Sequence, residues 1–344
     1  GVNTYAYSMA WGDLNNDGVL DLVTGSYNID LQQHKVTEDE MEDRAGVVYY
    51  IRQGEQFVPQ PLAQDAQALS IGLVDLDGDG NLDVWVANDF ALQDQVWLHK
   101  PNNPQVRQPE WQPAQPFAQT SHSTMSIDWA DLGNDGGLAL FTTDMNPYDI
   151  STENMARWLP MMNAMEKGAK HVEGDPQIMA NVLQVRERNG SWQNEAGRRG
   201  VDATGWSWAS KFGDLDNDGF LDLYVVNGMI AHNLFGYLDN SELIEENQAF
   251  RNPGDGMFVP APSWNLGSTR SGRGMVMADL NNDGRLDIVV NNLRNSAQLF
   301  ENQLCGGSSL EVALQWPASH NSAAIGSQLE LQTSRGVYRR DVRA

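Results

Sequence analysis

The chain has 344 residues, enough for one large β domain and a fragment of a second. Asp and Glu number 46 against 22 Lys and Arg, so the formal net charge is −24 at pH 7. This balance argues against nucleic acid and anionic membranes as partners. No apolar run reaches the roughly 18 residues of a membrane-spanning helix, and the single cysteine, Cys305, excludes a disulfide within the chain.

The first predicted element is a β-hairpin interrupted by an acidic loop, and the chain repeats this unit five times. β-Rich residues precede and follow the loops, as at residues 8–11 and 22–24. Each loop has a Gly at position 6, where glycine makes a sharp turn with positive φ easy. Oxygen-bearing side chains at positions 1, 3, 5 and 9 are ligands that Ca²⁺ prefers. Loops 1 to 5 cover residues 13–21, 75–83, 131–139, 214–222 and 279–287.

Four loops carry the complete ligand set, which predicts about four Ca²⁺ sites. Their predicted side-chain ligands are Asp13, Asn15, Asp17 and Asp21; Asp75, Asp77, Asp79 and Asp83; Asp214, Asp216, Asp218 and Asp222; and Asp279, Asn281, Asp283 and Asp287. The position-7 carbonyls that complete each shell belong to Val19, Asn81, Phe220 and Arg285. Loop 3 keeps Asp131 and Asp135 but has Gly133 and Ala139 at positions 3 and 9, so its site is predicted to be weak or empty.

Of two other interpretations of the loops, a turn without metal remains open and an EF-hand fits poorly. Asp, Asn and Gly favour turns without any metal, so each loop could be an Asx-rich turn alone. An EF-hand fits poorly, because its loop ends with a Glu at position 12 and lies between helices.

The spacing of the loops predicts the architecture. The repeat is about 60 residues long and is extended between loops 3 and 4. A second hairpin follows four of the loops, at residues 47–57, 96–111, 182–192 and 249–258. Four strands per repeat of this length are typical of a β-propeller blade. We therefore predict an all-β propeller of four-stranded blades over residues 1–305.

Two insertions interrupt the repeats. Residues 30–43 are acidic and are predicted to form a solvated loop. Residues 151–162 predict a helix that Ser151 caps and that Pro160 kinks or ends early. Its apolar stripe, predicted to pack against the propeller rather than to form a binding groove, consists of Met155, Trp158, Leu159 and Met162.

The pattern changes beyond Cys305. Residues 306–344 contain no acidic loop and predict three short strands, at 310–314, 327–331 and 336–339. They are interpreted as the start of a small, truncated second β domain.

At this point the loops resemble the FG-GAP/VCBS repeats of integrin α-subunit propellers and bacterial surface proteins. Residues 277–302 are most similar to the ASPIC/UnbV group, which includes the cartilage acidic protein family, and residues 321–329 and 336–343 resemble the opening of an ASPIC/UnbV domain. The resemblance implies a calcium-stabilised, secreted or surface propeller, usually of seven blades. Five repeats are visible here, so two blades would be missing from the N-terminus or lack the loop.

Three functions fit the sequence. The first is a non-enzymatic binding or adhesion module for a protein or glycan, in a secreted, periplasmic or cell-surface location, where calcium is plentiful enough to fill weak loop sites. A start at Gly rather than Met suits a mature or partial product. The second is a polysaccharide lyase or hydrolase, in which Trp206 and Trp208 would stack on sugars. Loss of activity in His232→Ala would support this function. The sequence contains no known catalytic motif, so no catalytic residue is predicted. The third is a structural subunit of a larger extracellular assembly.

Overall fold

A computed structural model describes residues 2–37, 44–90, 92–100, 109–168, 174–187, 189–304, 306–334 and 336–343. Within these residues, five sheets of three or more strands follow one another, and each contains a hairpin with one acidic loop. The hairpins form as predicted, because β-rich runs flank a loop that favours a turn.

The first three sheets each have four strands in sequence order. Sheet 1 contains β1 (Ala6–Gly12), β2 (Asp21–Ser26), β3 (Val47–Gln53) and β4 (Gln56–Ala63). Sheet 2 contains β5 (Ala68–Val74), β6 (Asp83–Asn88), β7 (Gln95–Lys100) and β8 (Glu110–Ala114). Sheet 3 contains β10 (Ser126–Ala130), β11 (Ala139–Thr143), β14 (Val182–Arg186) and β15 (Trp192–Asn194), and beside it the two-residue strands β9 (Thr120–Ser121) and β13 (Gln177–Ile178) pair in parallel.

The last two sheets depart from four strands. Sheet 4 contains β16 (Gly205–Gly213), β17 (Asp222–Asn227), β20 (Gln248–Arg251) and β21 (Val259–Pro260), and the short β12 (Met145–Asn146) pairs with its first strand. Sheet 5 has three strands, β22 (Gly272–Ala278), β23 (Asp287–Asn292) and β24 (Gln298–Phe300). Two further hairpins join β18 (Met229–Ile230) to β19 (Glu242–Leu243) and β25 (Gln328–Gln332) to β26 (Val337–Asp341).

The core lies between neighbouring sheets. The first strand of each sheet contacts the first strand of the next, in the order β1, β5, β10, β16 and β22. The second strands of sheets 1, 2 and 4 are covered on both faces, since every residue of β2, β6 and β17 is buried. Because each sheet must bury both faces, stacking supplies a core that one repeat could not form alone. This mostly β succession of stacked sheets is consistent with a propeller.

The Leu at loop position 2 has a packing role that the sequence analysis missed. Leu14, Leu76, Leu132 and Leu215 are at most 3 % exposed, and each packs in the cluster between its own sheet and the next. Leu280 of loop 5 is 53 % exposed. The position therefore joins consecutive sheets, and its burial depends on a following sheet.

Helix α2 (Thr152–Gly168) corrects two details of the prediction. Pro160 lies inside the helix and does not end it, and Leu159 is 45 % exposed whereas Met161 is 2 % exposed. Trp158 is fully buried in a cluster with Met145 and Trp206, as the packing prediction requires. The Ser151 hydroxyl accepts a hydrogen bond from the Asn154 amide at 3.3 Å, so the predicted cap is present.

The remaining short helices lie in the connections. They are α1 (Asn28–Gln33), α3 (Ala196–Arg199), α4 (His232–Phe235) and the 3-10 turns Asp239–Ser241 and Pro262–Trp264. Helix α1 falls in the first insertion, which was predicted to be a loop; residues 38–43 of that insertion lie outside the described residues. Among the described helices, none combines the length and apolar character needed to cross a membrane.

The C-terminal segment, residues 306–343, is called the tail below. Two of its predicted strands form the hairpin β25–β26. The third prediction is wrong: residues 310–314 are not part of a strand, and Leu310 and Val312 are 67 % and 50 % exposed. Isolated β-rich runs need a partner strand, and this run pairs with none among the described residues.

Candidate metal loops and the face they form

All five loops share one backbone conformation. Position 6 is a glycine with positive φ in every loop, as predicted, and φ at position 4 is positive too. Position 4 is Asn in four loops and Gly78 in loop 2. Asn tolerates the left-handed region better than most residues. The Asn at position 4 is therefore a conformational requirement that the sequence analysis did not single out.

A ladder of hydrogen bonds from backbone to carboxylate builds each loop. In loop 4 the two oxygens of Asp214 accept from the amides of Asp218 at 3.0 Å and Gly219 at 2.9 Å. One oxygen of Asp216 accepts from the Asp218 amide, and one oxygen of Asp218 accepts from the Phe220 amide. The same contacts recur in loops 1, 2 and 5. In loops 2 and 4, where position 3 is Asp, this leaves one oxygen of each side chain at positions 3 and 5 without a backbone bond.

The position-9 carboxylates are buried and bonded on both oxygens. In loop 4, Asp222 accepts from the amides of Leu215 and Asn252, both at 2.9 Å. The same pair of bonds is made in the other three complete loops, by Asp21, Asp83 and Asp287, and all four residues are at most 2 % exposed. These residues therefore tie the loop to the third strand, a structural role beyond the predicted ligand role.

Two loops gather three carboxylates with oxygens within 4.8 Å of one another. In loop 2 these are Asp75, Asp77 and Asp83, and in loop 4 they are Asp214, Asp216 and Asp218. A compact set of hard oxygen donors fits a hard cation such as Ca²⁺. Asp79 and Asp222 lie in the same two loops but outside these groups.

Loops 1 and 5 have Asn at position 3, and the amides of Asn15 and Asn281 donate to the position-5 carboxylates at 3.2 and 3.0 Å. Their other predicted ligands lie in the same turn conformation: Asp13, Asp17, Asp21, Asp279, Asp283 and Asp287. The two amide groups would have to rearrange for loops 1 and 5 to present the oxygen set that loops 2 and 4 present.

Loop 3 keeps the turn without the ligand set. Asp131 accepts from the amides of Asp135 and Gly136 at 3.2 and 3.0 Å, as its equivalents do. It is 3 % exposed and also accepts from the amide of Arg339 in the tail at 3.4 Å. With Ala139 at position 9, this geometry suits the predicted turn-only role.

Burial and mutual repulsion raise the pKa of several loop carboxylates. Desolvation is the main cause, and neighbouring carboxylates add to it. The pKa rises to about 7 for Asp21, Asp83 and Asp222 and to about 6 for Asp214. A cation bound in the loop would favour the ionised forms, so protons and Ca²⁺ compete for these oxygens.

This competition gives opposite pH effects with and without metal. In chelator, the folded pKa values near 6 to 7 lie above the ordinary aspartate pKa of 3.8, so the folded state holds more protons between these limits. The free energy of unfolding should therefore rise as pH falls from about 7 towards 4. Calcium affinity should fall over the same interval. Chelator melts and calcium titrations at three pH values measure the two effects. A calcium affinity that rises together with the stability in chelator as pH falls would contradict the competition.

An arginine pairs with loop 4. The Arg251 guanidinium contacts the Asp216 and Asp218 carboxylates at 2.6 and 2.7 Å, using the oxygens that backbone amides leave free. We expect Arg251→Gln to raise the calcium affinity of loop 4 about three- to tenfold, because one repelling charge is lost. Calorimetric titration of the variant measures this affinity. Arg52→Gln is the matched control, because the Arg52 guanidinium donates to the Gly54 carbonyl. Unchanged affinity would mean that Arg251 does not compete with the cation.

The position-4 asparagines also connect loops of neighbouring sheets. Asn134 donates to the Gly219 carbonyl at 2.9 Å, and Asn217 donates to the Gly284 carbonyl at 3.0 Å. Asn16 donates to the side-chain oxygen of Asn81 at 2.8 Å. Loop 2 has Gly78 instead, and there Arg186 of sheet 3 donates to the Asp77 carbonyl at 2.7 Å. These bonds link loop 1 to loop 2, loop 2 to sheet 3, and loops 3, 4 and 5 to one another; the surface that the five loops make is called the loop face below.

The tail lies on the loop face. Its amides donate to loop carbonyls, Asn321 to Gly18 at 3.0 Å and Gly307 to Asn217 at 3.0 Å. The amide of Val337 donates to the Asn134 carbonyl at 3.3 Å, which places hairpin β25–β26 against loop 3. The sequence pattern separates the tail from the repeats and does not indicate this contact.

The residues considered for sugar chemistry are placed elsewhere. Trp206 is 3 % exposed and packs between Trp158 and Phe235, which leaves no face for stacking. Trp208 is half-buried, with the Arg273 guanidinium 4.2 Å from its ring centroid. The His232 ring lies 3.1 Å from the Ser241 hydroxyl at the start of α4. These contacts are structural ones.

Comparison with known proteins supports the repeat assignment. A family model described as an FG-GAP-like repeat matches residues 75–142 and 235–290. The chain therefore contains FG-GAP-like repeats in two regions, which include loops 2, 3 and 5. No curated protein matches the chain.

Solved structures with some likeness include two of BBS1N in complex with ARL6DN, one soaked with mercury and one with lead. The first is 10 % identical with a TM-score of 0.39, and the match covers 99 % of this chain and 94 % of that one. The second is 10 % identical with a TM-score of 0.37 and covers 98 % and 92 %.

Proposed function

We propose that this chain is a calcium-stabilised binding module of the propeller type that acts outside the cell, either secreted, periplasmic or at the cell surface. The observation that carries the proposal is the loop face, where the carboxylate loops share one turn conformation and each is bonded to a neighbouring loop or sheet. Cations bound there would stiffen the face rather than take part in chemistry. A rigid face loses little entropy when it binds a protein or glycan partner.

Loops 2 and 4 are the best candidates for calcium because each gathers three carboxylates. Loops 1 and 5 are proposed as weaker sites, and loop 3 as a turn without metal. The similarity of the tail and of residues 277–302 to the ASPIC/UnbV group belongs to the same proposal, as do the calcium count and the location.

The test is capture of partners with and without calcium. The purified chain would be applied to arrays of extracellular matrix proteins and of glycans, in millimolar calcium and again in chelator. We expect binding that needs calcium and is reduced by Asp77→Asn together with Asp216→Asn. Binding that is equal in chelator, or release of cleaved glycan products, would contradict a calcium-stabilised, non-enzymatic module.

A further inference from the structure

A cavity of about 640 Å³ lies between the tail and the first strands of sheets 1 to 4. Its volume falls within the roughly 300 to 1,000 Å³ of small-molecule sites. Three tryptophans line it, Trp11 of β1, Trp129 of β10 and Trp316 of the tail. Charged side chains line it as well: Asp128, Lys211 and Arg343 form one group, and Arg339 and Asp341 form a separate ion pair at 3.4 Å.

The charges in this group do not cancel. Asp128 is fully buried; one of its oxygens contacts the Arg343 guanidinium, and the other accepts from the Phe212 amide at 2.7 Å. The Lys211 ammonium lies 3.6 Å from Asp128, beyond hydrogen-bond length, and its side chain is 41 % exposed. One carboxylate thus faces two cations, and Lys211 keeps donors that can reach a ligand anion.

The aromatic lining suits the apolar face of a sugar ring. Trp11 and Trp316 are 37 % and 49 % exposed, although both border the cavity. The Arg343 guanidinium lies 4.5 Å from the Trp129 ring centroid, so that ring holds the cation in place. Large aromatic faces beside fixed polar groups give a site both contact area and orientation.

We propose that this cavity binds a saccharide unit that carries a carboxylate, with Lys211 binding the carboxylate and Trp316 covering the ring. The assignment rests on the proposed binding function and names its ligand class. Asp13 and Asp75, which also line the cavity, belong to loops 1 and 2. A cation held by these loops would offset their negative charge at the edge of the site and favour an acidic ligand.

The test uses the full chain in millimolar calcium, with trigalacturonate as the acidic probe and galactotriose as its neutral counterpart. Calorimetry and tryptophan fluorescence should show saturable binding of trigalacturonate and no binding of galactotriose. Lys211→Met should weaken that binding about tenfold or more, since one charge-assisted hydrogen bond is lost. Trp316→Ala should weaken it as well, whereas Lys211→Arg should largely keep it. Lys100→Met, an exposed change in β7, is the matched control and should have no effect.

Three results would overturn the proposal: no saturable binding of trigalacturonate, equal binding of both probes, or full binding by Lys211→Met with a normal melting temperature. Calcium-dependent capture of another partner on the arrays, without uronate binding, would reject the cavity assignment and leave the binding-module proposal intact. Loss of all calcium-dependent binding would reject both.

Discussion

Removal of calcium is expected to lower the melting temperature of this chain by more than about 10 °C. A ligand that binds only the folded state adds RT ln(1 + [L]/Kd), about 2.7 kcal/mol for each site when calcium is 100-fold above Kd. Two such sites, in loops 2 and 4, would add about 5 kcal/mol, which is a large part of the stability of a typical domain. Melts in millimolar calcium and in excess chelator, with a metal count, measure the effect.

A matched pair of substitutions separates ligands from turn formers. Asp79 and Asp135 are both position-5 residues, and each accepts one amide bond at 2.8 Å, from Asn81 and Gly137. Asparagine can keep that bond, so neither Asp79→Asn nor Asp135→Asn should alter the melt in chelator. In calcium, only Asp79→Asn should lower the melting temperature, because loop 3 lacks the other ligands. Equal effects of the two changes, or no shift on chelation, would support loops that are turns only.

The hairpins and their loops could be predicted because their information is local. A β-rich run, an acidic turn with Gly at position 6 and a second β-rich run specify the same structure wherever they occur. Gly18, for example, is predicted at position 6 of loop 1 from the motif alone, and its φ of 81° is positive as expected. The ligand predictions rest on the same local pattern of oxygen-bearing side chains.

The features that were missed depend on neighbours distant in sequence. The linking role of Asn217 depends on the Gly284 carbonyl of the next sheet, which accepts its hydrogen bond. The burial of Leu215 depends on sheet 5, which covers it. Pro160 was predicted to kink or end a helix, yet the burial of Trp158 and Met161 outweighs one lost backbone bond. Local sequence preferences therefore predict the repeat, whereas tertiary packing determines the structure of the connections and the position of the tail.

The buried aspartate of loop 4 gives the second large effect, and this effect should persist when calcium is removed. Asp222→Ala removes the acceptor of two buried amides, those of Leu215 and Asn252. An unsatisfied buried amide costs about 1 to 3 kcal/mol, so the free energy of unfolding should fall by about 2 to 6 kcal/mol in chelator as well as in calcium. Denaturant melts under both conditions measure the change. Asp222→Asn should recover only part of the loss, because its amide group can accept on one atom alone.

The exposed ligand of the same loop is the control. Asp218 pairs with Arg251 on the surface, and such pairs contribute little to stability. Asp218→Ala should therefore change the melt little in chelator and lower it in calcium. If Asp222→Ala costs less than about 1 kcal/mol in chelator, water must replace the carboxylate at both amides. The position-9 residue would then act as a metal ligand only, and the link between the loop and the third strand would not hold the sheet together.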